Sequence, residues 1–159
     1  MMRVGSGYDA HPLVEGQALV LGGVNVPFER GLTGHSDADV VCHAVTDALL
    51  GAAAMGDIGK HFPPSDPKFK NANSLEFLIK TAELLSKSGW RISNVDATIV
   101  AQRPKLSPFV NAMRENVSKS LGIGVEQVSV KCKTTNGLGF EGREEGISAY
   151  AVALIESVK

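Results

Sequence analysis

Two short segments carry side chains that could bind one metal ion together. In Asp9-Ala10-His11, an extended backbone would point Asp9 and His11 to the same side, because alternate residues of a strand share a face. His43 lies further along, in a segment with helical periodicity. Two imidazoles and a carboxylate supply three ligands, the number typical of an open catalytic zinc site whose fourth position stays free. The sequence therefore predicts a metal site at Asp9, His11 and His43.

His43 also belongs to a row of polar residues on the same segment. Asp39, His43 and Asp47 are four residues apart, so a helix would place them one turn above another. Such a row can be a solvated face, or a histidine held by neighbouring carboxylates without any ligand. Alternatively, a carboxylate of the row holds the second ring nitrogen of a histidine that binds a metal. The row alone leaves both interpretations open.

A long helix must position His43. Ser36, followed three residues later by Asp39, matches a capping box and predicts that the helix starts near Asp37. Apolar residues recur behind it at helical spacing and would form its buried face: Val41, Val45, Ala48, Leu49 and Ala52.

The rest of the chain alternates β-prone and helical patterns. Strands are predicted near residues 3–9, 18–21, 24–26, 94–101, 128–132 and 147–155. Ser74 would cap a second helix that ends at Gly89, and a third helix would span residues 108–121. The passage from Gly56 to Asp66 is rich in glycine and proline and predicts a loop. The pattern indicates one domain over residues 1–159, an α+β sandwich with a single mixed or antiparallel sheet and helices packed on one face.

Composition excludes several classes of partner. The chain has 159 residues, of which 43% are hydrophobic and 21% charged, and its net charge of −1 offers no basic surface for nucleic acid or anionic membrane. No apolar run reaches membrane-spanning length and no signal peptide opens the sequence, which favours a reducing, soluble compartment. Cys42 and Cys132 form no CxxC pattern and are interpreted as small core residues.

A glycine-rich turn near the C-terminus could hold phosphate. Residues 137–142 match GxGxxG, but a β-prone run follows where a dinucleotide site needs a helix, so a Rossmann fold is rejected. Beside Lys133, Thr134 and Thr135, the turn could still bind phosphate through backbone N–H groups, or be a plain tight turn.

Several ordered motifs resemble one known family over essentially the whole chain. They are GSGYDAH (5–11), HSDAD (35–39), HAVTDALLG (43–51), GDIG (56–59), FP (62–63), AQRPK (101–105) and LGFEGR (138–143). The chain closely resembles the 2-C-methyl-D-erythritol 2,4-cyclodiphosphate synthases of the methylerythritol phosphate route to isoprenoids. The resemblance implies a lyase in which the 2-phosphate of 4-diphosphocytidyl-2-C-methyl-D-erythritol 2-phosphate attacks the β-phosphorus of its own diphosphate and releases CMP.

The resemblance also implies cofactors and site residues. Zn²⁺ would bind Asp9, His11 and His43, and a second cation, Mg²⁺ or Mn²⁺, would bridge the diphosphate. His35 and Thr134 would stabilise the transition state. Further substrate contacts are expected around the phosphates, the ribose, the methylerythritol portion and the cytosine: Ser36, Asp57, Ile58, Gly59, Phe62, Asp66, Ala101, Gln102, Arg103, Pro104, Lys105, Leu106, Lys133, Thr135 and Asn136. Phe140 and Arg143 match residues near a central cavity that holds an isoprenoid diphosphate in some relatives.

The family implies an assembly and a compartment as well. It is a homotrimer with sheets around a central cavity, and each active site is shared between neighbouring subunits. The compartment would be the bacterial cytoplasm, or a plastid or apicoplast stroma after removal of a transit peptide. Asn136 departs from the usual glutamate, which ligates the second cation, so binding of that cation should weaken. Pro64 and Lys133 also depart from common family residues.

Two other functions remain open from the sequence. The same metal triad could serve a zinc-dependent phosphoesterase, in which metal-bound hydroxide attacks phosphorus and a linear product is released. The chain could also be a trimeric binding protein that senses cytidine nucleotides or isoprenoid diphosphates without turnover.

Overall fold

A mixed sheet forms the centre of the molecule. A computed structural model describes residues 1–158. The main sheet contains β1 (Met2–Glu15), β4 (Arg30–Leu32), β5 (Trp90–Val100), β6 (Val128–Lys133) and β7 (Gly146–Ser157). Their order is β4-β1-β7-β5-β6, with β5 and β6 parallel and the other neighbours antiparallel. The prediction of an α+β fold with a mixed sheet is confirmed, although β2 (Leu19–Leu21) and β3 (Val24–Val26) form a separate hairpin.

Helices cover one face of this sheet. Three of them pack on the sheet: α1 (Val40–Ala52), α3 (Leu75–Lys87) and α4 (Val110–Leu121). The short helix α2 (Ile58–His61) contacts α1, and the short helix α5 (Gly139–Gly142) contacts β7. Alternate residues of β5, β6 and β7 are buried beneath α1, α3 and α4, whereas Tyr150 and Val152 on the opposite face are exposed. Across residues 1–158, no helix combines the length and the apolar character that a bilayer crossing needs.

The backbones of β1 and α1 touch at two glycines. A Cβ atom at Gly7 would lie 1.9 Å from the carbonyl oxygen of Ala44, and one at Gly5 would lie 2.0 Å from that of Ala48. Any other residue at these positions would push the helix away from the strand. Since Asp9 lies two residues after Gly7 and His43 directly precedes Ala44, this contact sets the spacing between the two predicted metal ligands.

The hairpin of β2 and β3 anchors the start of α1. Gly22 and Gly23 adopt φ angles of 55° and 71° in its two-residue turn. Their backbone N–H groups donate to the Asp39 carboxylate over 2.9 and 2.7 Å. Val41 and Cys42 also donate backbone N–H groups to Asp39 over 3.1 Å. Asp39 is therefore the N-cap itself, so the predicted capping box and a helix start near Asp37 are wrong.

Other differences from prediction concern short elements. The predicted loop after Gly56 contains α2, and a single 3-10 turn precedes α4, which begins at Val110 rather than at Pro108. Strand β4 carries no pattern of its own, because three residues are too few to show a periodicity. Helical spacing after Ser74 would turn Ile79 of α3 inward together with Leu75 and Leu78, but Ile79 is 43% exposed.

The glycine contact yields a test of the fold. We expect Gly7→Ala to lower the free energy of unfolding by more than about 3 kcal/mol, because a backbone clash in the core cannot be relieved by a side-chain rotation. Gly51→Ala, on the exposed side of α1, is the matched control; its Cβ would come no closer than 3.9 Å to a neighbour. That control should be neutral or stabilise the protein by up to about 1 kcal/mol. Denaturant unfolding of both variants measures the difference, and equal effects would contradict the proposed contact.

Candidate active site

Three predicted metal ligands meet where β1 faces the first turns of α1. The Oδ2 atom of Asp9 lies 3.1 Å from Nε2 of His11 and 2.9 Å from Nδ1 of His43. One ligand atom from each residue lies within 4.8 Å of the others. Asp9 and His11 reach the same point because they are alternate residues of one strand. His43 is buried, and the two strand residues are partly exposed toward a cleft.

The remaining ring nitrogens are both engaged. Nδ1 of His11 lies 3.0 Å from the carbonyl oxygen of Thr33. Because a carbonyl only accepts, this nitrogen carries the proton, and Nε2 presents its lone pair to the triad. Nε2 of His43 lies 2.8 Å from the hydroxyl of Ser74 and 3.1 Å from that of Ser36. Both imidazoles are thus fixed in orientation from outside the triad.

The two carboxylates of the polar row on α1 accept hydrogen bonds from backbone N–H groups. Asp39 caps the helix and holds the hairpin, and Asp47 accepts a hydrogen bond from the backbone N–H of Ile58 over 2.7 Å. The alternative in which a carboxylate of this row holds the second nitrogen of His43 is therefore excluded. The hydroxyl groups of Ser74 and Ser36 contact this nitrogen instead. A serine 31 residues away in sequence offers no local pattern by which to find it.

The triad favours positive charge at its centre. Burial of Asp9 opposes its ionisation, but the His11 and His43 rings beside it stabilise the carboxylate, outweigh burial and lower the pKa of its carboxyl to about 2. Protonation of His11 puts a second N–H on Nε2, and the hydrogen bond from this N–H to Asp9 stabilises the imidazolium form and raises the pKa of His11. Two imidazole nitrogens and one carboxylate oxygen form a donor set that fits Zn²⁺, whereas Mg²⁺ and Ca²⁺ prefer oxygen ligands alone. The residues therefore fit a resident divalent cation.

The triad opens into a cleft of about 310 Å³ with one aromatic wall. Predicted site residues that line it are Asp9, His11, His35, Ser36, His43, Ile58, Gly59 and Phe62. Phe69 and Phe77, which the sequence did not single out, complete the wall; the Phe62 and Phe77 rings stack with centroids 4.6 Å apart. A single aromatic residue in a turn or a helix is usually a core residue, so the place of these two in a cleft is visible only in three dimensions.

Two predicted acidic residues border this cleft without lining it. Asp57 caps α2 by accepting from the backbone N–H of Lys60 over 3.0 Å, and it borders a separate recess beside Tyr8. Asp66 caps the next turn, and its carbonyl oxygen lies 3.3 Å from Nε2 of His35. The segment from 57 to 66 is thereby held in a fixed shape over the cleft.

A second cleft, of about 660 Å³, lies elsewhere on the same chain. Its lining includes the predicted residues Ala101, Gln102, Arg103, Pro104, Lys105, Leu106, Lys133 and Thr134, together with Phe28, Glu29, Ser107 and Cys132. The two clefts have no lining residue in common. Within one chain, the predicted metal site is therefore separate from the predicted substrate contacts at residues 101–106.

An ion-pair network ties the loop of residues 101–106 to the turn before β7. Glu144 accepts a hydrogen bond from Arg103 over 3.0 Å and one from Arg30 over 2.8 Å, and Arg103 Nε makes a further close contact with it. Hydrogen bonds from these arginines, led by Arg103, lower the pKa of Glu144 to about 2. Both guanidinium groups also lie over the Phe28 ring, 5.5 and 5.4 Å from its centroid. The buried side chains of Ala101 and Leu106 fix the two ends of the loop, and surface ion pairs hold Arg103 between them.

The glycine-rich turn is stabilised by its own polar groups. Asn136 adopts a φ of 54° and donates its backbone N–H to the Thr134 hydroxyl over 3.3 Å. The Thr135 hydroxyl donates to the carbonyl of Leu138, and the Gly137 N–H donates to Gln102 over 3.1 Å. Helix α5 that follows has four residues, too short for a dinucleotide site, which agrees with the rejection of a Rossmann fold.

Phe140 and Arg143 lie beyond both clefts. Phe140 is in α5, and its ring packs near Gly146 at the start of β7. Arg143 is exposed and pairs with Glu145 over 3.0 Å.

The fold and the site define a class: an α+β protein with a His–His–Asp cluster that fits a metal ion and opens into a cleft. A model of the YgbB family matches residues 2–156, and the chain belongs to this family. A relative from Syntrophomonas wolfei is 61% identical over 155 residues, which cover 98% of this chain and 99% of the relative. That relative carries the name 2-C-methyl-D-erythritol 2,4-cyclodiphosphate synthase.

Solved structures show the same fold. A CDP complex of IspF from Plasmodium falciparum matches with a TM-score of 0.87 at 35% identity, covering 99% of this chain and 97% of that one. The bifunctional IspDF from Campylobacter jejuni matches with a TM-score of 0.95 at 40% identity. The match covers 99% of this chain but 42% of the bifunctional one, so the likeness concerns one part of that longer protein.

Proposed function

We propose that this protein converts 4-diphosphocytidyl-2-C-methyl-D-erythritol 2-phosphate to 2-C-methyl-D-erythritol 2,4-cyclodiphosphate and CMP, as a phosphorus–oxygen lyase. The observation that carries the proposal is the convergence of Asp9, His11 and His43 at an open cleft in a chain of this family. The name of the relative at 61% identity supports the same reaction. The CDP bound to the Plasmodium falciparum neighbour supports a cytidine nucleotide as part of the substrate.

The reaction is an intramolecular phosphoryl transfer. An oxygen of the 2-phosphate forms a bond to the β-phosphorus, the bond from that phosphorus to the bridging oxygen breaks, and CMP leaves with the electron pair. No bond to the protein is required, so catalysis consists of positioning and of neutralising phosphate charge. Zn²⁺ on Asp9, His11 and His43 would supply Lewis-acid stabilisation of that charge.

The chain's own groups would hold the two ends of the substrate. His35 and Ser36, in the metal cleft, would contact phosphate oxygens beside the triad. Lys105 and Thr134, in the second cleft, would add a positive charge and a hydroxyl from the nucleotide side. Backbone donors and acceptors of residues 101–106 can match the hydrogen-bonding edge of cytosine. His35 and Thr134 remain the proposed transition-state stabilisers.

A homotrimer would bring the two clefts together. The sheet face opposite the helices carries exposed apolar residues, among them Val4, Tyr8, Tyr150 and Val152. A contiguous apolar sheet face of this kind favours association with other copies. Packing three such faces around an axis would put the metal cleft of one chain beside residues 101–106 of its neighbour. The separation of the two clefts within one chain supports this shared site.

An isoprenoid diphosphate would bind in the central cavity of the trimer. The family resemblance assigns Arg143 to the binding of this diphosphate. The guanidinium of Arg143 already pairs with Glu145. A diphosphate would have to displace that carboxylate. Binding of isoprenoid diphosphate to Arg143→Ala as tightly as to the wild type would contradict this role.

The reaction can be tested with zinc-loaded protein, substrate and Mg²⁺ by phosphorus NMR. We expect CMP and the paired doublets of a cyclic diphosphate, and loss of at least about 1,000-fold in turnover for His43→Ala, because one of three metal ligands is removed. His61→Ala is the matched control, since that histidine contacts the carbonyl of Met55 outside the triad. A linear product would indicate a phosphoesterase, and CMP binding without turnover would indicate a sensor.

The shared site can be tested by mixing two inactive variants. His43→Ala damages the metal cleft and Lys105→Ala damages the nucleotide cleft, so each homotrimer should be inactive. After joint refolding, random assembly gives one complete site in every mixed trimer, and about a quarter of wild-type activity should return. Mixing that restores no activity would place both halves of the site in one chain.

Asn136 generates a prediction about the second cation. We expect the wild type to need more Mg²⁺ or Mn²⁺ for half-maximal rate than Asn136→Glu, because an amide oxygen lacks the charge of a carboxylate. Asn136→Gln has the length of glutamate but no charge, so it separates the effect of charge from that of side-chain length. The positive φ at this position favours asparagine, so the glutamate variant should lose up to about 1 kcal/mol of stability. Identical metal titrations for all three proteins would contradict ligation at this position.

A further inference from the structure

Ser74 occupies the N-cap position of α3, but its hydroxyl does not cap the helix. Among residues 1–158, the hydroxyl of this fully buried serine is turned toward His43, 2.8 Å from Nε2, and makes no capping hydrogen bond to α3. Asn73 accepts the hydrogen bond from the backbone N–H of Leu75 over 3.0 Å in its place. Serine is favoured at this position because its oxygen accepts from the helix, so its diversion requires another cause.

The proton of the Ser74 hydroxyl can be assigned from its neighbours. Ser74 Oγ lies 2.5 Å from Oδ1 of Asp37, and a carboxylate only accepts. The backbone N–H groups of Ser74 and Asp39 also donate to Asp37, over 2.9 and 3.1 Å, so both of its oxygens act as acceptors. The single hydroxyl proton therefore points to Asp37.

This assignment fixes the protonation of His43. Since the Ser74 proton is engaged by Asp37, Ser74 Oγ must accept from His43, and the hydrogen lies on Nε2. Nδ1 then keeps its lone pair, 2.9 Å from the Asp9 carboxylate and directed into the triad. Ser36 Oγ, at 3.1 Å from the same Nε2, is a second and longer acceptor. The chain Asp37–Ser74–His43 ends at the atom that would bind the metal.

We propose that Ser74, held by Asp37, is a positioning residue that fixes the tautomer and ring orientation of His43 and so strengthens metal binding at the triad. This inference rests on the proposed function of the triad as a metal site. His11 is held by a backbone carbonyl, whereas His43 depends on a side chain that belongs to α3. Folding of the N-terminus of α3 is thereby linked to the strength of the metal site. The conformation of residues 73–75 becomes part of the site, although none of them binds the metal.

The test is Zn²⁺ affinity, measured by competition with a chromophoric chelator at fixed pH on the purified full-length chain. We expect Ser74→Ala to weaken Zn²⁺ binding about 10- to 100-fold, the usual effect of removing the partner of a ligating histidine. Asn73→Ala is the matched control, because it removes the cap of α3 and leaves the His43 contact intact. Its Zn²⁺ affinity should stay within about twofold of the wild type. Absorption of the Co²⁺-loaded proteins adds a second readout, since altered ligand geometry changes the d–d bands.

Four results would overturn the inference. Ser74→Ala could bind Zn²⁺ as tightly as the wild type, which would make the contact structural alone. Asn73→Ala could weaken binding as much as Ser74→Ala, which would assign the effect to helix stability. A wild type that binds no Zn²⁺ would overturn the proposed metal site and this inference with it. If Ser74→Ala does not fold, Asp37→Asn decides, since it keeps the shape and removes the charge; weakened Zn²⁺ binding supports the inference, and unchanged binding overturns it.

Discussion

Direct backbone contact between β1 and α1 is the constraint on which the rest of the structure depends. Gly5 and Gly7 let the helix lie on the strand with no side chain between them, at would-be Cβ distances of 2.0 and 1.9 Å from helix carbonyls. The approach brings a strand that carries Asp9 and His11 against a helix that carries His43. A metal site requires its ligand atoms to be placed within tenths of an ångström, and a close-packed core supplies that precision better than a loop.

The sequence predicted those parts whose information is local. Alternation along β1 placed Asp9 and His11 on one side, and helical spacing gave the buried face of α1. The start of α1 was wrong because Asp39 is stabilised by Gly22 and Gly23, which are distant in sequence. A capping pattern records only neighbours within a few residues, so it could not distinguish Ser36 from Asp39 as the cap.

The site residues likewise divide into those that the sequence identified and those that it did not. The candidate metal ligands were identifiable because histidine and aspartate at such spacing are chemically distinctive. Ser74, Phe69 and Phe77 were not identified as site residues, because a serine before a helix and single aromatic residues have ordinary structural explanations. Their roles arise from long-range packing that brings α3 beside His43. Residue type alone therefore indicated the chemistry, while tertiary structure determined which groups surround it.

The two clefts are held by different physical forces. Around the triad, His43, Ser74 and Asp39 are buried, and their hydrogen bonds are shielded from solvent. Around residues 101–106, Arg103 is 55% exposed and its pairing with Glu144 is open to water and salt. Buried hydrogen bonds thus hold the triad, whereas salt can weaken the ion pairs beside residues 101–106. If the triad holds the metal and residues 101–106 hold the nucleotide, as we propose, the half that must release its product after every turnover is the half whose contacts water and salt can weaken.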